Sequence, residues 1–178
     1  MSVYSTILSH KQQSAKLLAI LIDPDKEKVY LPLLSKLKQA DLVFVGGSTG
    51  ENVEPCIAML REYTNAPLII FPGNASQFSP QADALLFLTL LNARTADMLI
   101  EPHVQMAIPI HKSGIEAIPM GYILIDGGRK SSVEIVSNCD PIPQSEVGRI
   151  VSTAIAGQLL GKQLIYLEAG SGAKMSIS

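Results

Sequence analysis

The chain has 178 residues and a mass of 19.1 kDa, of which 47% of residues are hydrophobic and 17% charged, with a formal net charge of −2. That length holds one hydrophobic core and predicts a single domain over residues 1–178. The low charge excludes a disordered tail or linker, and the absence of any basic run longer than Arg129-Lys130 excludes a nucleic-acid partner.

Along the chain, short apolar runs alternate with helical patterns. Leu17–Ile22 is the first predicted strand, and its six residues are too few for the apolar segment of a signal peptide. Leu31, Leu34 and Leu37 mark a helix before the second strand, Leu42–Val45. Ile57, Leu60 and Arg61, with Pro55 near the start, mark another helix before the third strand, Leu68–Phe71. The run from Pro72 to Asp83 is too rich in turn formers for a crossover helix, so an irregular connection is expected there. Ala84–Leu90 is the fourth strand. Met98 to Ile110 reads as helix interrupted by Pro102 and Pro109, which predicts two pieces or a kink. Ile118–Ile125 is the fifth strand. Val147, Ile150, Val151, Ala154, Ile155 and Leu159 form an amphipathic helical stripe after Pro143, closed by Gly161. Leu164–Leu167 is the sixth strand.

Continuous apolar runs of four to eight residues suit strands buried on both faces of a parallel sheet. With helices between them, the class is α/β, and six strands with polar C-terminal ends suit most of a (β/α)8 TIM barrel; an open doubly wound sheet is the alternative. No run approaches a membrane span, so no transmembrane segment is expected. Cys56 and Cys139 have no CxxC spacing and read as two buried thiols in a reducing, cytoplasmic compartment.

The most informative segment is Leu164-Ile165-Tyr166-Leu167-Glu168-Ala169-Gly170-Ser171-Gly172. Tyr166 and Glu168 stand two apart, so a strand points them to the same side. The following glycines can bring backbone N–H groups to an anion. A phenol and a carboxylate beside such a turn suggest a phosphate-bearing substrate with an acid–base or positioning pair. The other strand ends are also small or polar: Asp23-Pro24-Asp25-Lys26, Gly46-Gly47-Ser48-Thr49-Gly50, Pro72-Gly73-Asn74, Asn92 and Asp126-Gly127-Gly128-Arg129-Lys130. Asp23 and Ser48 can supply a carboxylate and a hydroxyl to Mg2+, which borrows further ligands from water and phosphate. Asp23 equally suits capping of a turn, and the glycine run around Ser48 equally suits a tight turn without ligand. That run is not a Walker A loop, and Ser171 does not sit in a GxSxG elbow. His10, His103 and His111 lack metal-ligand spacing and read as solvated, as does the Arg129-Lys130 pair.

Five pieces in order together resemble the geranylgeranylglyceryl phosphate synthase family, which includes bacterial heptaprenylglyceryl phosphate synthases. They are Leu21 to Lys26, Val45 to Gly50, Phe71-Pro72-Gly73, Leu91 to Arg94 and Tyr166 to Gly172. The Ile-Asp-Pro form of the first strand resembles the archaeal-type branch; Leu21 stands where Gram-positive relatives tend to carry lysine, so no lysine contact is transferred. The resemblance implies a modified (β/α)8 barrel that lacks its third helix. It implies transfer of a polyprenyl group, geranylgeranyl in the archaeal-type branch, from its diphosphate to the primary hydroxyl of sn-glycerol 1-phosphate. It makes Asp23 and Ser48 ligands of Mg2+ as cofactor. It makes Tyr166, Leu167, Glu168, Ala169, Gly170, Ser171 and Gly172 the glycerol-phosphate site, with Glu168 nearest the attacking hydroxyl and Tyr166 beside it. A homo-oligomer, dimer or higher, is the expected assembly. The rival readings are another phosphate-gripping barrel enzyme and a non-catalytic phosphate-binding module. Six strands are two short of barrel closure, so the expectation is a chain truncated or partly observed at its C-terminus.

Overall fold

The structure, a computed structural model, describes residues 2–47 and 52–177. In chain order it contains α1 (Val3–Gln12), β1 (Ala19–Ile22), α2 (Glu27–Tyr30), β2 (Leu42–Val45), α3 (Val53–Leu60), β3 (Leu68–Ile70) and β4 (Ala84–Leu90). There follow α4 (Ala96–Leu99), α5 (Glu101–Ser113), β5 (Glu116–Leu124), α6 (Ser132–Ser137), α7 (Val147–Leu159) and β6 (Leu164–Glu168). The strands form one sheet in the order β1-β2-β3-β4-β5-β6. A strictly sequential order has no switch point, which rules out the doubly wound alternative. The fold class is α/β of the modified (β/α)8 barrel type, with strands one to six.

The chain divides into two compact units, residues 1–86 with 106–118, and residues 87–105 with 119–178. In the first, β1, β2 and β3 pair in parallel, with Ile22 opposite Val45 and Val45 opposite Ile70. Leu68, Ile69 and Ile70 are wholly buried, as a strand covered on both faces requires. β1 is an outer strand, and Leu21 is 50% exposed. No helix lies between β3 and β4 among the described residues. Asn74 instead closes an Asx turn, its Oδ1 accepting the Ser76 N–H at 2.9 Å, between Pro72 and Pro80.

Two local readings change. The Leu31–Leu37 stretch is a 3₁₀ helix over Leu31–Gln39, not an α-helix, with Pro32 at its start. Three residues per turn stack Leu34 above Leu37, and both are buried. The sequence also gives no periodic signal for α1, which is held at its N-terminus by tertiary contact: the Glu116 carboxylate accepts the Val3 and Tyr4 N–H groups at 2.6 and 3.1 Å.

In the second unit β5 and β6 pair in parallel, with Tyr122 opposite Tyr166 and Leu124 opposite Glu168. Asn92, at the end of β4, is buried and clamps this unit: its Oδ1 accepts the Leu124 N–H, and its Nδ2 donates to the carbonyls of Leu124 and Asp140. A core of Ile123, Ile125 and Ile142 packs against Ile150, Ala154 and Ile165. The 96–113 stretch is indeed two helices, broken at Ile100, while Pro109 lies inside the second. Among the described residues, no helix is long and apolar enough to cross a membrane.

Candidate active site

In the first unit the polar end of β1 turns at once into a 3₁₀ segment, Pro24–Lys26, capped by Asp23. Asp23 Oδ1 accepts the Asp25 N–H at 3.1 Å, and Oδ2 pairs with Lys26 Nζ at 2.8 Å. The turn-capping role is therefore real. It leaves the carboxylate beside Gly47, whose missing side chain makes the space: a Cβ there would overlap Asp23 Oδ1 and Cγ. Ser48, with Thr49 and Gly50, lies outside the described residues.

The glycine run is held from the β3 loop. Gln77 is 1% exposed; its Nε2 donates to the Gly47 carbonyl at 2.7 Å and its Oε1 accepts the Gly73 N–H at 2.8 Å. Sequence reasoning missed Gln77, because nothing marks a glutamine in a turn-rich loop as buried.

As to a metal, no three His, Cys, Asp or Glu side chains gather among the described residues. Mg2+ does not need them, since it takes one or two protein oxygens and completes its octahedron with water and phosphate. A single carboxylate in a cradle that a Cβ would fill fits such an ion. Lys26 is largely exposed and its long side chain can swing away from Asp23.

In the second unit β6 carries Tyr166 and Glu168 on one side, as the two-residue spacing requires. The Tyr166 hydroxyl is hydrogen-bonded to Glu168, and burial together with this carboxylate pushes the phenol up to about 12. Glu168 Oε1 also accepts the Gly170 N–H at 2.8 Å. The carboxylate is thus fixed from two sides. Gly170 adopts φ +89°, and the Ala173 N–H donates to its carbonyl at 3.1 Å, closing the turn with Ser171 and Gly172 at its crest. A Cβ at Gly170 would overlap Ser131, the buried cap of α6 in a capping box with Glu134. Leu167 points away from this side and is 43% exposed, and Ala169 continues the backbone into the turn.

Two residues gain importance here. Arg129 is exposed, yet Nη1 stands 3.1 Å from the position of a Cβ on Gly172, which sets a guanidinium beside the turn. Tyr122, with no motif to flag it, lies buried with its ring centroid 5.4 Å from that of Tyr166.

His103 is not solvated. Its ring contacts the Leu88 and Leu99 carbonyls and the Thr89 hydroxyl and packs on Phe87, because α5 lays it over β4. Lys162 Nζ donates to the same Thr89 hydroxyl at 2.6 Å. Both cysteines are free and buried, as read from their spacing.

The sequence profile of the PcrB family matches residues 10–178. The chain belongs to the PcrB family. Relatives of this PcrB-family chain come from bacteria and archaea. The geranylgeranylglyceryl phosphate synthase of Flavobacterium johnsoniae is 46% identical over 183 residues, spanning 99% of this chain and 75% of the relative. That of Zunongwangia profunda is 42% identical over 181 residues, spanning 99% and 77%. The enzyme of that name from Korarchaeum cryptofilum is 39% identical over 167 residues, spanning 90% and 68%. Among solved structures, (S)-3-O-geranylgeranylglyceryl phosphate synthase from Thermoplasma acidophilum, in complex with its substrate sn-glycerol-1-phosphate, superposes with a TM-score of 0.88. It is 32% identical and covers all of this chain and 74% of its own. The family resemblance read from the five motifs is borne out.

Proposed function

We propose that this chain is a prenyltransferase of the geranylgeranylglyceryl phosphate synthase type. It joins a polyprenyl diphosphate, geranylgeranyl by preference, to the free primary hydroxyl of sn-glycerol 1-phosphate and releases diphosphate, forming an ether-lipid precursor. The observation that carries this reading is the Tyr166–Glu168 pair fixed on a glycine turn. The whole-length likeness to a solved enzyme that holds sn-glycerol-1-phosphate supports it.

The turn from Gly170 to Gly172 receives the phosphate through its backbone, with Arg129 adding positive charge alongside. Glu168 orients the hydroxyl and takes its proton as the oxygen bonds to C1 of the prenyl group. The C1–oxygen bond to diphosphate breaks, and its electron pair leaves with that group. An allylic carbon shares positive charge as the bond breaks, so positioning contributes heavily to the rate. Asp23, with Ser48, would hold Mg2+. Bound there, the ion would neutralise charge on the departing diphosphate. Tyr166 donates to Glu168 and stays protonated throughout the physiological range.

A homo-oligomer is the proposed assembly, supported by the exposed apolar stripe Val147, Val151, Ile155 and Leu159 along α7. The reaction is assigned to the cytoplasm, in keeping with two free buried thiols. The test is turnover of sn-glycerol 1-phosphate with labelled prenyl diphosphates of graded length, with and without Mg2+. Ether product that requires the metal supports the reading. Glycerol-phosphate binding without any turnover turns it towards a binding module.

A further inference from the structure

Tyr122 is a large, polar-tipped side chain, 7% exposed, in a strand whose neighbours Ile123 and Leu124 are almost wholly buried. It sits directly opposite Tyr166 in the β5–β6 register, and Glu168 lies two residues further along the same strand. Directly paired residues are the nearest cross-strand neighbours a sheet provides. The two rings lie 5.4 Å apart and are inclined by 34°, an offset aromatic contact. Burial raises the Tyr122 phenol, and the charges of Glu168 and Tyr166 raise it further, which places its hydroxyl within the field of the same carboxylate.

Tyr166 is half-buried, like most of the side chains of β6. A half-buried tyrosine keeps more than one χ1 rotamer open to it. Its hydroxyl bonds Glu168 only in a limited range of those rotamers, so something must hold the ring. The ring of Tyr122 is the aromatic surface in contact with it.

We infer that Tyr122 is a positioning residue, whose ring holds Tyr166 in the rotamer that fixes the Glu168 carboxylate for proton transfer. The inference rests on the acid–base reading of Glu168 given above. Tyr122 acts through Tyr166 and leaves the phosphate contacts of the turn alone, so it governs kcat and not the affinity for glycerol phosphate.

The experiment is steady-state kinetics on Tyr122→Leu, Tyr122→Phe, Tyr166→Leu and the double variant Tyr122→Leu/Tyr166→Leu, with crystal structures of the two Tyr122 variants. Tyr122→Leu removes the ring and is expected to lower kcat by about 10- to 100-fold, the order set by misplacing a catalytic group. KM for sn-glycerol 1-phosphate should stay within about twofold, Tyr122→Phe should restore kcat, and the double variant should be no slower than Tyr166→Leu alone. Normal kcat in Tyr122→Leu, failure of phenylalanine to rescue, or additive losses overturns the inference. Where leucine prevents folding, Tyr122→Met replaces it. If the full-length protein that contains this chain shows no turnover, the proposed function fails, and the crystal structures then decide the positioning alone. Tyr166 rotated away from Glu168 in Tyr122→Leu and unmoved in Tyr122→Phe supports it; Tyr166 unmoved in both overturns it.

Discussion

The Asp23 carboxylate occupies the space in which any side chain at Gly47 would have to begin. A strand-end acid and the backbone of the neighbouring strand are thereby packed with nothing between them. The absence of a Cβ is what lets the carboxylate sit there while still capping its own turn through the Asp25 N–H.

Asp23→Asn is expected to cost at least ~2–4 kcal/mol of transition-state stabilisation, by analogy with other groups that face developing charge. The fold should survive, because the amide oxygen still caps the turn. Gly47→Ala should produce a similar loss by pushing the carboxylate aside. Turnover at limiting Mg2+, beside an unchanged circular-dichroism spectrum, checks both; near-normal activity in the asparagine variant removes Asp23 from the metal site.

Glu168→Gln keeps the shape of the side chain and cannot take a proton, so kcat should fall about 10²–10⁴-fold. Tyr166→Phe should cost less, since its hydroxyl donates to Glu168 and transfers no proton. Single-turnover rates separate the two. If the glutamine variant turns over normally, the pair only shapes the turn.

Gly170→Ala should destabilise the protein. The left-handed backbone alone costs about 1–2 kcal/mol for a residue with a Cβ, and here that atom also meets Ser131, so the cap of α6 must shift. A lowered midpoint in thermal unfolding, together with weakened glycerol-phosphate binding, is the expected outcome. An unchanged midpoint would show that the turn yields easily.

Gln77→Ala leaves the Gly47 carbonyl and the Gly73 N–H without their amide partner. Gly47 is half-buried and Gly73 exposed, so water replaces part of the loss and the cost is about 1 kcal/mol, the low end for an unmet polar group. Denaturant unfolding should register that loss, and the apparent Mg2+ requirement should rise as the glycine run loosens. Equal stability and equal metal dependence would contradict the bracing role.

Burial pushes the Cys56 thiol from 9.0 up to about 11. Between those values the unfolded chain has released the proton that the folded chain keeps, so stability falls as pH rises through this window. At pH 8 the thiolate, the reactive form, is scarce in the folded protein. A thiol reagent should therefore react slowly with the native chain and at once in guanidinium. Fast native labelling of Cys56 would show that the α3 packing opens readily.

By itself the sequence determined the strands. Leu42–Val45 and Ala84–Leu90 coincide with β2 and β4, because a run apolar on both faces has few other stable states. It determined the missing helix after β3, through prolines and turn formers, and it placed Tyr166 and Glu168 on one side through the two-residue period of a strand. Contacts remote in sequence decided the rest. α1 exists where Glu116 receives its first N–H groups, His103 is hydrogen-bonded because α5 lays it on β4, and the Leu31–Gln39 segment tightens to a 3₁₀ helix. Tyr122 and Gln77 carry no local signature, for their roles arise only when one strand's register brings Tyr122 to Tyr166 and one loop's fold brings Gln77 to Gly47. Periodicity is a property of neighbours along the chain, and the geometry of a site is set by neighbours across it.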